Sequence, residues 1–189
     1  IILKTHFKLS PRQTILYLNY IYLDNRIILL IGDTIGFDNL LEKSRLDLDF
    51  LNDKTYEKIF NTKSLEDFKS YHERVNKFGY DYVTILDESY PYNLRYIEDR
   101  PALLFYKGKL DLDKDKNSIA FVGARKCTDY GKWACKNLSQ EVASSGITTV
   151  SGLAYGIDAM CHKSTLEISG RTIGVIGCGI DKIYPKQNR

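Results

Sequence analysis

The sequence predicts an α/β protein in which an all-helical N-terminal domain precedes a parallel sheet with flanking helices. Three observations carry that prediction. Helix-start signals and apolar residues at helical spacing occupy residues 10–75. From residue 118 onward three short apolar runs recur, each closed by a glycine within two residues. Between those runs lie segments of helical character, and strands alternating with helices build βαβ units.

In the first region, Ser10-Pro11 supplies an N-cap and a proline at the first helical position, where its missing N–H costs nothing. Ile15, Leu16, Leu18, Tyr22 and Leu23 follow at helical spacing. The run Ile35-Gly36-Phe37-Asp38-Asn39-Leu40-Leu41 is expected to form the turn and second helix of a helical hairpin. Ser64-Leu-Glu-Asp67 has capping-box form, with Leu65, Phe68, Tyr71, Val75 and Phe78 as an apolar stripe behind it. Residues 1–78 therefore read as a helical domain, and they show no nameable chemistry.

The character changes at residue 79. Tyr82-Val-Thr-Ile-Leu86 reads as a strand, Asp87-Glu-Ser-Tyr-Pro91 as a turn, and Leu103-Leu-Phe-Tyr106 as a short strand after the break at Arg100-Pro101. Residues 111–117 read as a charged linker, so 79–117 form lead-in strands and a linker, and 118–189 the sheet domain. There, Ile119-Ala-Phe-Val122 ends at Gly123, Ile147-Thr-Thr-Val150 at Ser151-Gly152, and Thr172-Ile-Gly-Val-Ile176 at Gly177. Residues 130–145 and 157–168 are the intervening helices, with Trp133, Leu138 and Val142 as the apolar residues of the first. Ligands of such sheets sit beyond the carboxyl ends of the strands. The three strand-end loops are therefore the candidate site.

Composition excludes several classes. Apolar residues at 43% and charged residues at 27% are those of a globular chain and argue against disorder. The longest apolar stretch, between Arg26 and Gly32, holds five residues, far short of the roughly 20 that a spanning helix needs. Cys127, Cys135, Cys161 and Cys178 form no CxxC pair and read as reduced thiols, not a disulfide framework or a zinc site. The opening residues lack the apolar core and cleavage site of a secretory leader, so the expected location is the cytoplasm. Residues 116–189 carry ten Lys/Arg against five Asp/Glu, a net +5, whereas residues 1–115 are at −2. Positive charge gathers in the sheet domain, as it does where phosphates are met.

The first loop, Gly123-Ala-Arg-Lys-Cys-Thr-Asp-Tyr-Gly131, places a glycine where backbone amides can approach an anion. Arg125 adds a planar fork of donors suited to phosphate; its competing role is a salt bridge to a nearby carboxylate. Seven residues separate the two glycines and Lys132 precedes Trp133, so the loop is not a Walker motif. In Ser151-Gly-Leu-Ala-Tyr-Gly-Ile-Asp158, Ser151 offers a hydroxyl, Gly152 and Gly156 permit tight turning, and Asp158 suits helix capping better than base catalysis. His162 lies one turn after Asp158, where a structural hydrogen bond between the two is expected. The third loop carries Gly177, Cys178, Gly179 and Asp181, then Lys182, Tyr184 and Lys186. It lacks the third glycine of a dinucleotide fingerprint. Tyr184 could stack on a base or lie in the core, and Cys178 reads as a packed thiol, since no base pairs with it.

Together these loops resemble the DprA/Smf family of DNA-processing proteins. The matching pieces are Val122-Gly-Ala-Arg125, Tyr130-Gly131, Ser151-Gly-Leu-Ala-Tyr-Gly-Ile-Asp158, His162, Gly170-Arg-Thr-Ile-Gly174, Gly177-Cys-Gly-Ile-Asp181 and Tyr184-Pro-Lys-Gln-Asn188. Leu86-Asp-Glu-Ser-Tyr-Pro91 and Arg100-Pro-Ala-Leu-Leu-Phe105 resemble its lead-in. The resemblance implies a SAM-like helical domain followed by part of a Rossmann-like sheet. It also implies a non-catalytic cytoplasmic protein that binds and protects single-stranded DNA and helps load RecA in natural transformation and DNA recombination. Such a protein is a homodimer and needs no cofactor or metal. Carried over by motif, Arg125 is the main phosphate contact, Gly123 and Ala124 give backbone approach, Lys186 is a second contact, and Ser151 and Gly152 line the pocket. Gly156, Asp158, His162, Gly177, Gly179 and Asp181 are structural members of the motif. Tyr155 departs from the pattern, because members often carry a basic residue there. The family's later basic stretch and dimer surface have no counterpart before Arg189, so the chain is expected to be a piece of a longer protein. The rival reading is a Rossmann-like hydrolase that holds a small nucleotide, with Asp158 and Asp181 as the nearby carboxylates.

Overall fold

The structure, a computed structural model, describes residues 8–75, 77, 79–182 and 185. Its chain divides into two compact units, Ile1–Gly108 and Lys109–Arg189. In the first unit, helix α1 (Pro11–Tyr20) begins with a full capping box: Gln13 N–H donates to Ser10 Oγ, and Ser10 N–H to Gln13 Oε1. The helix is buried from Thr14 to Leu18 and sits at the centre of the core with Ile28, Ile31, Leu48, Ile59, Phe68 and Val75. Tyr17 keeps its hydroxyl satisfied there by donating to the Ile59 carbonyl at 2.7 Å.

Helix α2 (Asn25–Ile35) corrects the sequence reading. The hairpin's second helix precedes Gly36, where the chain turns, and Leu40–Glu42 is only a 3-10 turn. The uninterrupted run Ile27–Ile31 had hidden the helical period. Helix α3 (Asp53–Ile59), capped by Asn52, was not foreseen. Helix α4 (Thr62–Val75) starts earlier than expected because Asn61, not Ser64, caps it: Ser64 N–H donates to Asn61 Oδ1 at 2.9 Å. Phe78, the last residue of the expected stripe, lies outside the described residues.

Strands β1 (Asp81–Thr84) and β2 (Leu103–Tyr106) pair antiparallel, Asp81 opposite Tyr106 and Thr84 opposite Leu103, with the short helix α5 (Tyr92–Arg95) between them. This hairpin belongs to the first unit, since Tyr82, Ala102 and Leu103 share the helical core. Two polar clamps hold it there. Asn25 accepts from Ala102 N–H at 2.7 Å and donates to the Arg100 carbonyl at 2.9 Å. Asp87 accepts from Thr84 N–H at 2.7 Å, Thr84 Oγ1 at 3.0 Å and Arg12 Nε at 3.1 Å, while the Arg12 guanidinium lies over the Tyr82 ring. Residues 79–108 are thus integrated with the helices.

The second unit opens with a single turn, α6 (Leu112–Asp115), inside the expected linker. It continues as β3 (Ser118–Ala120), α7 (Asp129–Ser144), β4 (Thr148–Ser151), α8 (Ile157–Glu167) and β5 (Thr172–Gly174). The strands form one parallel sheet in the order β3-β4-β5, and α7 and α8 pack on each other and on β4. A hydroxyl network joins α8 to the sheet: Thr149 Oγ1 lies 3.0 Å from Thr165 Oγ1 and donates to Thr172 Oγ1 at 2.9 Å. Buried hydroxyls of this kind are tolerated because each satisfies another. Among the described residues, no helix is long and apolar enough to cross a membrane.

Candidate functional site

Parallel pairing brings the carboxyl ends of β3, β4 and β5 to one edge. Phe121 N–H donates to the Val150 carbonyl and Val175 N–H to the Ser151 carbonyl, each at 2.8 Å, so the ladder runs up to the loops. The loop after β3 ends at Thr128, which caps α7 by accepting from Gly131 N–H at 3.1 Å. It is seated on the start of α8, where Ile157 N–H donates to the Ala124 carbonyl at 3.3 Å.

Two glycines make this seating possible, for a reason other than anion approach. At Gly123 the Ile157 side chain stands 2.6 Å from the place a Cβ would take. At Gly156, with φ at +81°, a Cβ would overlap the Ala124 carbonyl oxygen and stand 2.5 Å from that of Arg125. The first two loops are therefore packed through their glycines. What faces solvent is the arch above them: Ala124, Arg125 and Lys126 are exposed. Arg125 makes no ion pair among the described residues, so the competing salt-bridge role is unfilled. The amides of Gly123, Ala124 and Arg125 donate to no acceptor among the described residues. Lys126 was passed over in the sequence, although a second cation beside Arg125 was a legible signal.

In the second loop, Ser151 is turned inward. It is 5% exposed, and its hydroxyl donates to the Phe121 carbonyl at 2.7 Å, tying β4 to β3. Gly152 is exposed, and the Asp158 carboxylate occupies the space beside it, accepting from Ala154 N–H at 3.3 Å. Asp158 thus stabilises the loop before its own helix. Leu153 holds a left-handed backbone, φ +57°, uncommon for a residue other than glycine.

His162 does not bond Asp158 as expected. Its Nδ1 lies 2.7 Å from Thr172 Oγ1, on β5, because α8 turns this face to the sheet. The ring is 7% exposed, and Nε2 has no hydrogen-bond partner of ordinary geometry among the described residues. Burial holds the imidazole below its ordinary pKa, outweighing the opposing pull of Asp158 and the Ser151 backbone.

In the third loop, Gly177 and Cys178 are exposed, and Asp181 folds back toward Gly179. Lys182 is exposed, and its N–H donates to the Gly179 carbonyl at 2.8 Å. Lys186 and Tyr184 lie outside the described residues. Burial pushes Cys135 up to about 11 and also raises Cys161, so neither is an activated nucleophile, while Cys178, expected as a packed thiol, is exposed. Among the described residues no cluster of His, Cys, Asp or Glu could hold a metal ion. A polar hollow lined by Gly79, Tyr80, Asp81, Tyr106 and Gly108 belongs to the first unit and shares no residue with the strand-end loops.

Comparison with known proteins places the same residues in context. A family described as DNA recombination-mediator protein A matches residues 81–189. The DNA processing protein DprA of Bacillus subtilis is 43% identical over 110 residues, which cover 58% of this chain and 37% of that protein. Among solved structures, DNA processing protein A from Streptococcus pneumoniae aligns at a TM-score of 0.71 with 31% identity, covering 97% of this chain and 63% of that one. DNA processing protein A from Helicobacter pylori, described in terms of its single-stranded DNA binding mode, aligns at 0.51 with 31% identity, over 59% of this chain and 48% of that one. The chain thus spans little more than a third of the curated relative's length.

Proposed function

The chain belongs to the DNA recombination-mediator protein A family, the DprA/Smf DNA-processing proteins, and from that premise we propose that its strand-end loops bind the backbone of single-stranded DNA. The observation that carries this reading is the arch at 123–126. Among the described residues, an exposed guanidinium without an ion pair stands there with a neighbouring lysine, over amides that donate to no acceptor. Such an arch offers charge-assisted and backbone donors to one phosphate at a time. Arg125 is the principal contact, Gly123, Ala124 and Gly152 supply close backbone, Lys186 is a further cation, and Ser151 holds the loops together from below. Within the whole protein, this site protects the strand and presents it for RecA loading by a cytoplasmic homodimer.

The hydrolase alternative is less favoured, because its two carboxylates serve their own loops: Asp158 accepts from the Ala154 amide at 3.3 Å, and the exposed Asp181 folds back on Gly179.

Arg125→Ala is expected to weaken oligo(dT) binding at low salt. It should also make the slope of log affinity against log salt shallower by about 0.7, the value of one phosphate on a single strand. Fluorescence anisotropy across a salt series measures both. A slope and affinity equal to those of the unaltered chain would remove Arg125 from the site.

A further inference from the structure

Helix α7 departs from its expected packing in a way that bears on how bases are held. Trp133 and Leu138, named above among its apolar residues, are exposed, and the buried residues are Cys135 and Ser139. Trp133 is 63% exposed and Tyr130 is 74% exposed. Their rings face outward as a pair, with centroids 5.9 Å apart and planes inclined by only 30°. Two large aromatic rings left in water contribute little of the burial that normally stabilises a fold through such side chains.

Their neighbourhood carries the matching charge. Arg125 and Lys126, neither ion-paired among the described residues, precede Tyr130 by only five and four residues. Even a fully extended segment of that length spans at most about 18 Å. The loop is not extended, because Gly131 lies against Cys127 and Thr128. Lys132, between the two aromatics, is held by Asp129 at 2.9 Å, and Lys136 by Glu167 at 2.9 Å, so along this stretch of the described residues the cations without an ion pair are Arg125 and Lys126, in the loop that leads into the helix. Cations that grip a backbone beside aromatic faces that accept any base are the arrangement by which proteins hold single strands without reading sequence.

We propose that Tyr130 and Trp133 form a base-stacking platform for the nucleotides adjoining the phosphate held by Arg125 and Lys126. The proposal rests on the single-stranded DNA reading and adds to it a site for bases, on the first turns of α7. The occupant is a polynucleotide and not an isolated phosphate or mononucleotide, because rings and cations lie on successive parts of the chain.

The test uses the fact that Trp133 is the single tryptophan of the chain. Oligo(dT) should quench its fluorescence, whereas an abasic oligomer of equal length should bind through phosphate without quenching. Trp133→Ala should weaken oligo(dT) binding roughly 5- to 150-fold, the range for loss of one base–aromatic stack, and leave abasic binding and the salt slope unchanged. Trp133→Phe should recover most of the affinity. Equal affinity of Trp133→Ala and the unaltered chain for oligo(dT), with no quenching in the latter, would overturn the platform and leave the phosphate site standing. Failure of both oligomers to bind would remove the phosphate site and the platform together. Intact DNA affinity with a change in sedimentation from dimer to monomer would assign the aromatic face to a second copy, against the proposal.

Discussion

Gly156→Ala is expected to lower the stability of the second unit by about 3–5 kcal/mol and to abolish oligonucleotide binding with it. The cost has two sources. A φ of +81° with ψ at −123° is a backbone conformation reserved in practice for glycine, and forcing alanine into it costs on the order of 1–3 kcal/mol. The added Cβ would also overlap the carbonyl oxygens of Ala124 and Arg125, which are backbone atoms and cannot swing aside. Relief requires the arch to lift from α8, breaking the Ile157–Ala124 hydrogen bond and moving the cation that the site depends on. Gly146→Ala provides the control. It shares a positive φ of +76° but has nothing within 4 Å of its would-be Cβ, so it should cost only about 1 kcal/mol. Denaturant unfolding followed through Trp133, which lies in this unit, measures the difference. Equal stability of the two variants would show that the carbonyl contact does not constrain the arch.

Arg171→Ala should destabilise the same unit by about 2–3 kcal/mol, because it strips the countercharge from a carboxylate that has little access to water. Arg171 donates to both oxygens of Asp115, at 2.5 and 2.6 Å, and to the Lys109 carbonyl at 2.8 Å. The Asp115 side chain is 12% exposed and that of Arg171 30%, so the aspartate is the partner that suffers more when left alone. Asp115 also accepts from Asp111 N–H at 2.9 Å and Thr148 Oγ1 at 3.4 Å, so the pair joins α6 to β4 and to the residue before β5. Asp115→Ala should cost less, and the double variant less than the sum of the two.

The pH dependence follows with a definite sign. Burial opposes ionisation of Asp115, but the hydrogen bonds from Arg171 and the Asp111 amide outweigh it and hold the pKa below its ordinary value. A depressed carboxylate stabilises the fold above its unfolded pKa of about 3.9, and that contribution is lost as pH falls through the lower folded value. The stability gap between the unaltered chain and Arg171→Ala should therefore be full at neutral pH and shrink below about pH 4. A gap that is constant from neutral pH to pH 3 would mean that the pair contributes no net electrostatic stabilisation.

Much of this architecture was legible from local chemistry. The Ser10-Pro11 start of α1, the β2 limits at Leu103 and Tyr106, and the alternation of β3, α7, β4, α8 and β5 all rest on signals within a few residues of one another. So does the placing of Arg125 on a strand-end loop. The features that escaped depend on partners far away in sequence. The run at Ile27–Ile31 carries no period, and only packing against the core identifies it as helix α2. The hairpin joins the first unit through contacts such as Asn25 with Ala102, 77 residues apart.

The candidate site divides in the same way. From the sequence alone follow the parallel sheet, the glycine-marked loops at its carboxyl edge and a guanidinium among them, because strand propensity, turn glycines and residue order are local and need no partner to be expressed. Only the tertiary structure decides direction. It turns the Ser151 hydroxyl inward to Phe121, gives His162 to Thr172 and not Asp158, and leaves Trp133 outside. A side chain's facing depends on which element arrives against it, and that choice is made by burial across the whole unit.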